Sequence, residues 1–177
     1  MQLSSDRPLC WKDAVIPMEF KSETSCVLVR DQLSKDLDVD MIVMGSHGAS
    51  GLEEFFIGSN AYRVVTASTM PVLTVQKHAD KFGYQNIALP IDSSKHTRDK
   101  VAEAAHLAKR FGATIHIGAL ITEEHEDEKN VFNLKVKQIE EYLSDEGVAF
   151  KTSFNHGENI AEMTIKHAKE VNADLIV

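Results

Sequence analysis

Asp40-Met41-Ile42-Val43-Met44-Gly45-Ser46-His47-Gly48 is the stretch on which the reading of this chain turns. Met41 to Met44 is apolar without a break, the composition of a parallel strand covered on both faces, and it runs directly into a glycine loop. Nine residues separate Gly48 from Gly58-Ser59, where a helix is predicted over Ser59 to Ala67 with Ala61, Val64 and Val65 on its inner side. The carboxyl end of a parallel strand is where open α/β sheets take their ligands. Lacking a Cβ, Gly45 and Gly48 let backbone N–H groups approach phosphate oxygens. The helix that follows Gly58 offers free N–H groups and the positive end of its dipole, with Ser59 able to cap or to hydrogen-bond a phosphate and Asn60 beside it. His47 lies inside the loop and is a candidate for phosphate or ribose contact. No Gly-Lys-Ser/Thr and no Gly-x-Gly-x-x-Gly occurs, so the loop is neither a Walker A loop nor the dinucleotide fingerprint.

Outward from this motif, short β-branched runs alternate with longer amphipathic stretches, the pattern of βα units around a mostly parallel sheet. Ahead of it, a strand is predicted near residues 14–20 and a helix near 24–37. Pro71 to Val75 reads as a strand, and His78 to Tyr84 as a linker. The pattern then restarts with the strand Ile87 to Asp92 and a helix from about Ser94 to Phe111, striped by Val101, Ala104, Ala105 and Ala108 and stopped at Gly112. Further strands are predicted at Thr114–Leu120, Val148–Phe154 and Asp174–Val177, with helices near Val131–Leu143 and Asn159–Glu170. The acidic run from Glu123 to Glu128 reads as a solvated loop and helix start. Lys169 to Val177 lies over Lys35 to Val43 without gaps at an offset of 134 residues, about one domain length.

The 177 residues, 43% hydrophobic and 26% charged, are enough for a well-buried globular domain. A net charge of -8 repels a phosphate backbone, which argues against nucleic acid as a partner. Cys10 and Cys26 lack metal-ligand or Cys-x-x-Cys spacing, and the expectation is a reduced, cytoplasmic protein with no metal centre and no membrane association. The histidines other than His47 show no mutual ligand spacing and read as surface or hydrogen-bonded core residues. No Ser/His/Asp or Cys/His arrangement stands out, and no catalytic residue is assigned.

Gly45, Gly48, Gly58 and Ser59 reproduce the Gly-x-x-Gly, nine residues, Gly-Ser/Thr pattern of ATP-binding universal stress proteins, which the chain resembles over most of residues 22–177. Met70 to Val75 is similar to that family's last strand. Ile87-Ala88-Leu89-Pro90-Ile91-Asp92-Ser93-Ser94 is similar to its first, whose Pro-x-Asp segment borders the nucleotide. The resemblance implies an open, doubly wound parallel α/β sheet of strand order 3-2-1-4-5, Rossmann-like and of the adenine nucleotide alpha hydrolase-like kind. It also implies binding of ATP, ADP or AMP, with Mg carried through the phosphates, and at most weak ATP hydrolysis or autophosphorylation. The implied binding residues are Gly45, His47, Gly48, Gly58, Ser59, Asn60, Pro90 and Asp92. A homodimer or domain-swapped dimer through the Val72–Val75 edge is implied as well. Family order is not kept, however: residues 1–80 supply strands 3, 4 and 5, and residues 81–177 restart at strand 1. The chain therefore reads as the middle of a tandem two-domain protein, a glycine-loop half followed by an amino-terminal half that ends before a loop of its own. The alternative is a composite, permuted unit in which Asp92 faces the Gly45 loop. A non-catalytic interaction module with an empty pocket is the competing functional expectation.

Overall fold

Among the described residues, the strands form two parallel sheets. A computed structural model describes residues 41–45, 58–68, 70–75, 83–94, 97–122 and 129–177. The strand and helix expected before residue 40, His47, Gly48 and the acidic run 123–128 lie outside the described residues, as does the side chain of Asn60. The chain divides into two units, Met1–Ala79 and Asp80–Val177.

In the first unit, β1 (Ile42–Gly45), α1 (Ser59–Ala67) and β2 (Val72–Val75) form a strand-helix-strand segment, and the strands pair in parallel from Ile42↔Val72 to Gly45↔Val75. α1 buries Ala61 and Val64, three residues apart on one face. Two expectations fail here. Val65 is 43% exposed, and Val43 of β1 is 45% exposed although its strand is apolar throughout. The described elements supply one nine-residue helix to two strands, too little to cover both faces.

The second unit runs β3 (Asn86–Ile91), α2 (Thr97–Phe111), β4 (Thr114–Ile121), α3 (Lys129–Asp145), β5 (Phe150–His156), α4 (Ile160–Glu170) and β6 (Leu175–Ile176). Its sheet is parallel with the order β5-β4-β3-β6. In terms of the expected fold this is 3-2-1-4. Ile87, Leu89 and Ile91 of β3 and Ile115, Ile117 and Ile121 of β4 meet Val101, Ala104, Ala105 and Ala108 of α2 and Phe132, Val136, Ile139 and Leu143 of α3 in one core. The alanine stripe lets α2 lie close to the strands. α2 ends where Gly112 takes φ +65°, a conformation that favours glycine. Asn159 caps α4, its Oδ1 accepting from the N–H groups of Ala161 and Glu162 at 2.9 and 3.2 Å.

β3 pairs with β4 along its whole length and with the two-residue β6 at Ile87 and Ala88. The Asp174 carboxylate fixes β6 beside it, accepting from the N–H groups of Gln85 at 2.8 Å and Asn86 at 3.0 Å. On the sheet face opposite α2 and α3, the His167 ring lies over Gly118. Its Nε2 donates to the His116 carbonyl at 3.1 Å and its Nδ1 accepts from Ser153 Oγ at 3.3 Å. A Cβ on Gly118 would stand 2.6 Å from His167 Cδ2, so this strand position admits only glycine without displacing the ring. His116 is also buried, and its Nε2 donates to Asn86 Oδ1 at 2.9 Å. Both histidines thus match the hydrogen-bonded core residues that the sequence suggested.

Two outcomes are expected. Gly118→Ala lowers unfolding free energy by about 1–3 kcal/mol, the usual cost of overpacking, and combining it with His167→Ala gives less than the sum of the single effects in a denaturant double-mutant cycle. Burial first, then the Lys151 and His167 charges, pushes the His116 imidazole below its ordinary value. A folded pKa below the unfolded one means a contribution that is complete above about pH 6.5 and is lost as pH falls through the lowered value. Melting temperature should decline from pH 7.5 to pH 5, and His116→Gln should flatten that decline.

Candidate functional site

At the carboxyl end of the second sheet the strands open onto a cavity of about 290 Å³. Asp92, Ser93 and Ser94 follow β3, Leu120, Ile121 and Thr122 close β4, and Lys129 and Phe132 begin α3. Glu158, between β5 and α4, and Ile160, the first residue of α4, complete the wall. Every segment approaches from the same end because the strands are parallel and their crossovers return over the faces.

Asp92 sits where the buried strand ends. Its Oδ1 accepts from the Ser94 N–H at 3.0 Å, a local turn of the kind Asp favours. Lys135 of α3 reaches the same turn and donates to the carbonyl oxygens of Asp92 at 3.0 Å and Ser94 at 2.5 Å. Burial raises the Asp92 carboxyl. Hydrogen bonds from Ser94 and the ammonium groups of Lys100 and Lys135 outweigh that effect and hold it below the usual carboxylate range. Burial chiefly, with Lys100 adding and Asp92 opposing, pushes the Lys135 ammonium below its ordinary value. The result is an ionised carboxylate on the wall of a mixed polar and apolar cavity, suited to accept hydrogen bonds from hydroxyl groups.

The expected site residues fall in both units. Pro90 lies in β3, level with Gly118, two residues before Asp92. Gly45 ends β1, level with Val75, and Gly58 is the N-cap of α1 without a side-chain hydrogen bond. Its carbonyl accepts the first helical bond, from Tyr62 at 2.9 Å. Ser59 is exposed in the first turn, and the backbone of Asn60 continues the helix. Sequence reasoning missed Lys135, Phe132, Thr122 and Glu158. The Ser93-Ser94 pair next to Asp92 was a visible turn signal, whereas Lys135 looks like any polar residue of an amphipathic helix.

The model of the Universal stress protein family matches residues 29–76 and 83–177. The chain belongs to the universal stress protein family. Among curated relatives, it shares 41% identity over 46 residues with a universal stress protein of Methanocaldococcus jannaschii, 26% of this chain and 28% of that one. With the universal stress protein YxiE of Bacillus subtilis it shares 46% over 43 residues, 24% and 29% of the respective chains. Each match spans under a third of the relative's length. A universal stress protein from Archaeoglobus fulgidus superposes with a TM-score of 0.62 at 22% identity, covering 85% of this chain and 53% of the other. That likeness bears on the fold alone, and it agrees with the universal stress protein sheet described above.

Phe132 walls the cavity and also belongs to the core, so Phe132→Ala should cost about 3–5 kcal/mol of stability, read from chemical denaturation.

Proposed function

We propose that this universal stress protein binds an adenine nucleotide, ATP or its ADP and AMP forms, and serves stress-response regulation. The observation that carries the reading is the cavity at the end of β3, with Asp92 held as a carboxylate on its wall. About 290 Å³ is at the lower limit for a small-molecule site and suits a nucleoside rather than a whole triphosphate. Ribose hydroxyls have a carboxylate acceptor in Asp92, and an adenine ring has apolar cover in Leu120, Ile121 and Phe132. Asp92 and Glu158 would repel phosphates. The Gly45-x-x-Gly48 and Gly58-Ser59 motif of the other unit is suited to phosphates as a site of its own, with Mg²⁺ carried on their oxygens. In this reading the chain is part of a tandem protein, the motif serving one domain and the cavity the next. A cytoplasmic homodimer or domain-swapped dimer through β2 is part of the same proposal.

The second reading is a non-catalytic interaction module. Val131, Leu134 and Tyr142, exposed along one side of α3, favour it. Calorimetric titration of ATP and of adenosine separates the two. Asp92→Ala should weaken adenosine and ATP about tenfold, the worth of one hydrogen bond to a charged group. Gly48→Val should weaken ATP and spare adenosine. Unchanged titrations in both variants, or no binding by the parent chain, would leave the interaction module as the better account.

A further inference from the structure

Lys135 has no part in the core and does not line the cavity, yet it spends two of its three N–H donors on the turn that carries Asp92. Both acceptors are backbone carbonyls of a loop that leaves the sheet, and the Asp92 side chain folds back on the Ser94 N–H within that loop. Three hydrogen bonds thus fix three consecutive residues, and the two from outside the loop come from one ammonium group on α3. A surface lysine would keep its rotamer entropy rather than hold such a geometry.

We infer that Lys135 is the positioning residue of the cavity. From α3 it clamps the Asp92–Ser94 turn and so holds the Asp92 carboxylate in place on the wall. For ligand affinity this rests on the nucleotide reading above; for the geometry of the turn it does not. Among the described residues, the charged groups around Asp92 are Lys100 of α2, Lys135 of α3 and, lining the same cavity, Lys129 of α3 and Glu158 ahead of α4. Lys135 bonds the turn's carbonyls at Asp92 and Ser94, so its removal should act on loop geometry and on the Asp92 titration together.

The test compares the full chain with Lys135→Met and Lys135→Arg. Carboxyl-carbon NMR titration of Asp92 is run without ligand, and adenosine titration is run across pH 4 to 7. The Met variant should remain folded by circular dichroism, titrate Asp92 at higher pH than the parent, and bind adenosine about tenfold more weakly at neutral pH. The pH at which adenosine affinity is lost should move up with the Asp92 titration. Lys135→Arg, which keeps the charge and the donors, should restore both properties. An Asp92 titration unmoved in Lys135→Met overturns the inference, as does an arginine variant that behaves like methionine. If the parent chain binds no adenosine, the nucleotide reading fails, and the ligand-free titration still decides the role of Lys135.

Discussion

Everything at the candidate site follows from β3 being bonded to β4 along its length and to β6 at its amino end, and being buried on both faces. Its backbone groups pair with β4 on one side and β6 on the other, and Ile87, Leu89 and Ile91 are sealed under the helices. Each such side chain contributes about 1.5–3 kcal/mol on burial, against about 1 kcal/mol for an ordinary hydrogen bond, so packing holds the strand and the polar contacts decide its register and its exit. The Asp174 carboxylate sets the register at the amino end. At the carboxyl end the chain must leave the sheet, and the first residue to do so is Asp92.

Electrostatics then determine what that residue can do. Partial burial alone would favour the protonated carboxyl, yet the Ser94 donors and two lysines more than offset it. A chain of net charge -8 therefore presents a stabilised carboxylate next to apolar cover, a surface for uncharged hydrogen-bond donors. Phosphates need the opposite environment, the one that a glycine loop rich in backbone N–H groups offers.

Much of the second unit was legible in the sequence because its signals are local and agree with one another. The alanine stripe at Val101, Ala104, Ala105 and Ala108 has helical spacing, Gly112 marks the stop, and Ile87 to Ile91 has the unbroken apolar character of an interior strand. Asp92 was legible as the residue at which that strand ends. The exposure of Val43 and Val65 was not, because it depends on how many layers cover a sheet, a tertiary property that no short window carries. Lys135 was invisible for a similar reason: its partners lie 43 and 41 residues away, and nothing in the periodicity of α3 distinguishes it from a solvated lysine. The fit of Gly118 under His167 joins residues on β4 and α4 and was equally hidden.

Whether a nucleoside enters at the carboxyl end of β3 is decided by amide chemical-shift mapping of the isotope-labelled chain on addition of adenosine. The largest shifts are expected at Ser93, Ser94, Thr122 and Ile160, around the cavity, with Asn86 and Asp174 at the opposite end of the sheet unmoved. Shifts concentrated at Asn86 and Asp174, or no shifts at saturating adenosine, would rule that entry out.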